Sequence, residues 1–191
     1  MTDMRDDAPP ATAKHGSGAD HAGDLALEPN GDSLVSRSVT INRPRAELYR
    51  FWRDFSQLPT FMDNIVRVDV TGDRTSHWVV AAPGGSTVEW DAEITQDIED
   101  EAIAWASTDG AGVANSGRIE FRDAGARGTV VTATILYDPP GGIVGKAVAK
   151  LFQREPAVQA RRDLRRFKQL METGEVATNA VNRQQHEEEI A

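Results

Sequence analysis

Three carboxylates, Glu89, Asp91 and Glu93, stand at alternate positions of one short run. That spacing puts acids side by side, as general acid–base chemistry requires. The positions between and around them hold Val88, Trp90, Ala92 and Ile94, the clearest period-two pattern in the chain. In a strand the two sets face opposite ways, so the acids are expected on a wet face and the apolar residues on a buried one. Arg118, Glu120 and Arg122, alternating with Ile119 and Phe121, read the same way. His77 adjoins Trp78, and only one of the two can face inward. A surface or hydrogen-bonded histidine is the expectation there. Arg37 shares parity with Val35, Val39 and Ile41. It either turns inward to meet a polar ligand head or runs along the strand to reach solvent.

Other catalytic templates are not met. There is no Gly-x-Ser-x-Gly elbow, and Gly141–Lys146 departs from a phosphate loop in its glycine spacing and in having Ala147 where Ser or Thr is required. The remaining histidines, His15, His21 and His186, lie near the chain ends, and no His/Asp/Glu cluster has metal-ligand spacing. The chain has no cysteine, which removes disulfides, thiolate metal sites and a cysteine nucleophile. No catalytic residue, metal or cofactor is therefore expected.

The elements that must position these residues are mostly strands. Leu34–Ile41 reads as the first. Pro44 suits the first turn of a helix running to about Asp54, with Asn42 upstream as a capping candidate and Leu48, Phe51, Trp52 and Phe55 on one face. Gln57–Asp63 reads as a second short helical turn. Five or six strands follow up to Tyr137, joined by short turns, which implies an antiparallel meander. Val66, Val68 and Val70 alternate with Arg67 and Asp69 in the first of them. A long amphipathic helix closes the chain, from Gly142 to about Met171, and Pro156 must kink or break it. Residues 1–32 and 175–191 are polar and without periodicity, and read as disordered tails around a domain at 33–174.

The 191 residues carry a formal net charge of −9, which argues against nucleic-acid binding. From Gly145 to Leu170, however, eight basic residues face two acids, giving +6 there and −15 elsewhere. That basic helix suits peripheral contact with an anionic membrane, or else balances the acidic sheet. No apolar run approaches the roughly 18 residues of a membrane span, and the first 31 residues contain no apolar signal core. A cytoplasmic location is expected.

Strand, two short helices, meander and long final helix is the order of the helix-grip fold, of α+β class. The chain resembles the polyketide cyclase/dehydrase and coenzyme Q-binding branch of the START-like (Bet v 1-like, SRPBCC) superfamily. The residues carrying the resemblance are Ser38–Pro44, Tyr49–Trp52, Leu58-Pro59, Phe61-Met62, Ser76–Trp78, Val88–Ile94, Ile103–Trp105, Tyr137–Gly142 and Asp163–Lys168. The resemblance implies a curved antiparallel seven-stranded sheet wrapped around the long C-terminal helix and enclosing a cavity. It also implies an apolar ligand: a lipid, a quinone or a polyketide-like molecule.

The expected function is binding, and possible transport or chaperoning, of such a ligand. Its expected contacts are Trp78, Trp90, Trp105, Phe121 and Tyr137 from the strands, and Leu164 and Phe167 from the helix. Phe61 and Met62, beside Leu58, would form a gate, and Arg37 would meet a polar head. Ordinary core packing is the competing reading for each aromatic residue. The alternative function is a cyclase or dehydratase acting in the same cavity, for which Arg37, His77 and Tyr137 are the candidate polar set.

Overall fold

A computed structural model describes residues 33–82, 85–111, 114–138 and 156–176. Strand β1 is Ser33–Ile41, helix α1 is Arg45–Arg53, and a 3-10 helix follows at Phe55–Thr60. Strands β2 (Ile65–Val70), β3 (Thr75–Ala81), β4 (Thr87–Ile98), β5 (Ala102–Ser107), β6 (Ala114–Asp123) and β7 (Thr129–Asp138) come next, and helix α2 is Pro156–Thr173. The expected tails, apart from residues 175 and 176, lie outside the described residues. So does the expected first half of the final helix, Gly142–Glu155.

The seven strands form one antiparallel sheet in the order β1-β7-β6-β5-β4-β3-β2. Consecutive strands are neighbours, as short turns dictate, and β1 closes onto β7 at the far edge. The sheet curls into a half-barrel with α2 packed against β1, the helix-grip arrangement. Gly128 makes the turn into β7 possible. Its φ is +89°, and a methyl group there would sit 2.2 Å from the Ile41 carbonyl.

Period-two patterning is realised in β4, where Trp90, Ala92 and Ile94 are buried while Glu89, Asp91 and Glu93 are exposed. In β2 it is not. Ile65 and Val68 are buried, but Val66 and Val70 are 52% and 54% exposed. A register shift between Ile65 and Arg67 turns Val66 out, because a bulge moves a side chain by one place, whereas Val70 keeps the parity of buried Val68 and is exposed at the end of this edge strand.

Helix α1 begins without a side-chain cap. The Asn42 backbone N–H instead donates to Glu172 Oε1 of α2 at 2.7 Å, tying the start of α1 to the end of α2. Tyr49 donates to Asp97 at 2.5 Å and Arg53 Nε donates to the same carboxylate at 2.7 Å, which fixes α1 on β4. Burial and the Asp97 contact push the Tyr49 hydroxyl up to about 12.

Candidate functional site

The sheet's inner face, α2 and the segment Leu58–Ile65 border a cavity of about 120 Å³. All four tryptophans of the chain line it: Trp52 from α1, Trp78 from β3, Trp90 from β4 and Trp105 from β5. Trp78 and Trp90 are direct cross-strand partners. Their rings stack 6.1 Å apart and 11° from parallel, and Trp78 stacks on Trp105 at 6.3 Å. Phe55 meets Trp78 and Trp105 edge-on from the 3-10 helix. Trp105 can lie flat because its partner on β6 is Gly117.

Of the expected contact residues, the structure brings Trp78, Trp90, Trp105, Met62 and Leu164 to the cavity wall, together with Leu58. Phe61 and Phe167 sit one layer behind it, tilted against each other at 5.0 Å, and Phe167 meets Trp52 edge-on at 5.0 Å. Phe121 packs against Tyr49 in the core near α1. Arg37 is half-buried and donates to the Ser36 carbonyl at 2.7 Å, away from the cavity wall. Tyr137 ends β7 opposite Asn115, and its side chain lies outside the described residues.

The outer face behaves as its parity predicts. His77 Nδ1 lies 2.8 Å from Asp91 and its Nε2 lies 3.5 Å from Glu89. The Asp91 hydrogen bond leads the causes that raise its pKa. Arg37 and His77 therefore do not converge, and the polar set named for an enzyme does not assemble from them. Among the described residues no cluster of His, Cys, Asp or Glu could hold a metal ion.

The functional residue that sequence reasoning missed is Asp163. It is 7% exposed, it lines the cavity, and its Oδ1 has no hydrogen-bond partner. Burial pushes its carboxyl up to about 7, and the negative charge of Asp63 adds to the shift, while Arg166 and Arg162 oppose it. Asp163 is the only ionisable group among the described cavity-lining residues, whose other polar members are Asn64, Asn115, Gln159 and the indole groups. Its signal was present in the sequence. Asp163 stands three residues after Ala160 and four before Phe167, on the apolar stripe of α2. Two donors of the wall, Trp52 Nε1 and Trp90 Nε1, are also buried without partners, whereas Trp78 Nε1 donates to Ser76 Oγ at 2.9 Å.

One wall of the cavity is clipped in place. Arg166 pairs with Asp63, which sits between the lining residues Met62 and Asn64. The Asn64 carbonyl accepts from the Ala81 N–H at 2.8 Å, so this turn is held by α2 on one side and by β3 on the other.

Residues 41–165 match the family described as polyketide cyclase / dehydrase and lipid transport. The chain belongs to that family. An uncharacterized 17.2 kDa protein of Streptomyces lincolnensis is 32% identical over 141 residues, covering 73% of this chain and 90% of its own. A Deinococcus radiodurans protein of known crystal structure is 41% identical with a TM-score of 0.61, over 75% of this chain and 100% of its own. The di-domain ARO/CYC protein StfQ, from the steffimycin biosynthetic pathway, shares the fold at 15% identity and a TM-score of 0.52, over 71% of this chain and 49% of StfQ. The family description of polyketide and lipid chemistry supports a domain for hydrophobic small molecules, and the cavity is the candidate site for one.

Proposed function

We propose that this protein holds one apolar small molecule, of the lipid, quinone or polyketide-like kind, in its internal cavity and carries or shelters it in the cytoplasm. The observation that supports this best is the wall itself: four tryptophans with Leu58, Met62, Ile65, Val80 and Leu164 around a cavity of about 120 Å³. A wall of this kind binds by excluding water from apolar surface, with a few polar groups setting orientation. An apolar cavity of roughly 150 Å³ holds benzene, and this one, at about 120 Å³, is somewhat smaller. A larger ligand needs Met62 and Leu164 to swing aside, and unbranched Met adapts readily.

A carrier that collects its cargo from a bilayer gains from a cationic face. Arg161, Arg162 and Arg165 are exposed on α2, while Arg166 is engaged with Asp63 and Lys168 donates to the Thr40 carbonyl. This supports peripheral docking on anionic lipid. Among the described residues no helix is long and apolar enough to cross a membrane.

One observation favours a second reading, an enzyme of the cyclase or dehydratase type. Asp163 is a buried carboxyl poised near neutrality in the cavity wall, a state that suits proton transfer.

Native mass spectrometry of the protein purified from its own cells, with extraction and identification of whatever co-purifies, tests both readings. A stoichiometric adduct recovered unchanged after incubation supports the carrier. An adduct that the protein converts to a dehydrated product supports the enzyme. A clean unliganded mass, with no uptake of added quinone, lipid or aromatic polyketide, would sink the binding reading.

A further inference from the structure

Apolar cavities that receive acids need a positive group in the wall to meet the carboxylate. Here the wall has the opposite character. Among the described residues its single ionisable group is the Asp163 carboxyl, buried, with one oxygen that none of them bonds. The nearest cations among the described residues do not serve the cavity. Arg166 is committed to Asp63, and Arg162 is exposed on the outer side of α2. Lys168 and Arg37 spend their donors on the Thr40 and Ser36 carbonyls.

We propose that Asp163 makes this cavity selective for apolar molecules that carry a hydrogen-bond donor, a hydroxyl or a protonated amine, and excludes apolar acids. This rests on the binding function proposed above and names the chemistry of its ligand.

The physical argument has two sides. Once Asp163 is ionised, above about pH 7, a carboxylate ligand would share a low-dielectric space with it, and Asp63 lies just beyond, so each negative charge would raise the cost of the other. A ligand donor instead satisfies a buried acceptor that otherwise stays unpaired, and such a bond is worth most where the alternative is an unpaired polar atom. A hydroxyl serves whether Asp163 is neutral or ionised. An amine that enters neutral takes the Asp163 proton, and one that enters protonated displaces that proton to solvent; either way an ammonium–carboxylate pair with a charge-assisted bond results. The indole N–H groups of Trp52 and Trp90, also buried and unpartnered, lie in the same wall and suit the acceptor lone pairs of a hydroxyl after small side-chain shifts.

The test uses four probes of one shape and different heads, ethylbenzene, para-ethylphenol, para-ethylbenzylamine and para-ethylbenzoate, at about pH 8, where Asp163 is ionised. The readout is the indole N–H region of the nitrogen–proton NMR spectrum of the full chain, because all four tryptophans line the cavity. Ethylphenol and ethylbenzylamine are expected to move these signals with affinities about 10-fold or more above ethylbenzoate, with ethylbenzene between. In Asp163→Asn, ethylbenzoate is expected to come within a few-fold of ethylphenol. Ethylbenzoate binding as tightly as ethylphenol to the unaltered protein would overturn the inference, and so would an unchanged preference in a folded Asp163→Asn. Ethylbenzene matching both donor probes would overturn it too, while leaving the apolar-binding function standing. Silence of all four indoles toward every probe would remove that function and this inference together. If Asn at this position prevents folding, the probe series on the unaltered protein decides alone.

Discussion

Gly117 lies directly under the indole of Trp105: a methyl group on its backbone would sit 2.3 Å from Trp105 Cζ2. The two residues are cross-strand partners on β6 and β5. A bare backbone on one strand thus gives the ring on the other its resting place, and the ring in turn forms cavity wall.

Gly117→Ala must push Trp105 off that bed. Overpacking of this kind costs about 1–3 kcal/mol. Denaturant titration is expected to show that loss, with a displaced Trp105 indole signal and weaker ligand uptake. In the double variant Gly117→Ala with Trp105→Leu the two costs are expected to be less than additive, since the clash disappears with the ring. Strict additivity would mean that the ring does not rest on Gly117.

Trp90 offers a direct test of the wall. Trp90→Leu opens space beside Trp78 and removes a buried, unpartnered indole N–H. Ligand retention, followed by native mass spectrometry, is expected to change in the folded variant. Unchanged retention would remove Trp90 from the binding site.

The Asp63–Arg166 pair is predicted to govern exchange more than stability. Asp63 is largely exposed, so breaking the pair is expected to cost about 1 kcal/mol or less. The turn bearing Met62 and Asn64 would then lose its hold on α2, and ligand on- and off-rates are expected to rise together. The two partners also act oppositely on Asp163. Asp63→Asn is expected to lower the Asp163 pKa, and Arg166→Met to raise it further. Carboxyl-carbon NMR titration reads both directions, and a shift of the same sign in both variants would contradict the assigned geometry.

Asp163 also predicts a pH dependence of folding. The folded protein keeps this proton up to about pH 7, whereas the unfolded chain releases it near 3.8. Between those values unfolding releases a proton, so stability falls as pH rises and levels off above pH 7. The charged groups acting on Asp163 are Asp63, from the turn before β2, and Arg162 and Arg166, from α2 itself. The full window corresponds to about 4 kcal/mol as an order of magnitude. His77, whose pKa is raised by Asp91, also loses its contribution as pH rises, but only above its ordinary value of 6.5. Asp163→Asn separates the two. It is expected to flatten the slope between pH 4 and pH 6, as measured by denaturant midpoints, and a slope that persists would assign it to another group.

Removal of Arg161 and Arg165 by alanine substitution is expected to weaken binding to anionic vesicles. At about 1 kcal/mol per basic residue, the double variant loses about 2 kcal/mol, or ~30-fold in vesicle partitioning. Equal sedimentation of the variant and the unaltered protein with anionic vesicles would show that this face meets no membrane.

Much of the architecture was legible because it is written in local periodicity. The alternation around Trp90 placed Glu89, Asp91 and Glu93 outside, and the structure has them exposed there. The order of strands and helices implied the helix-grip fold, and short turns implied the meander. Where local pattern and pairing disagreed, pairing prevailed. The bulge in β2 turned Val66 outward although its spacing looked regular.

The membership of the cavity wall was a tertiary decision. Alternation says which face a residue takes but not how far along that face the covering helix lies. Phe121 and Trp90 share the inner face, yet one packs against Tyr49 and the other borders the cavity. Phe61 and Phe167 pack into each other behind Trp52 because α2 crosses there. Asp163 shows the same division of labour. Its place on the apolar stripe of α2 was set by the 3.6-residue repeat and stood in the sequence by itself. Its environment was set by tertiary structure alone. The helix docks with that stripe over the four tryptophans while Arg166 turns to Asp63, which leaves the carboxyl desolvated and without a counter-ion of its own.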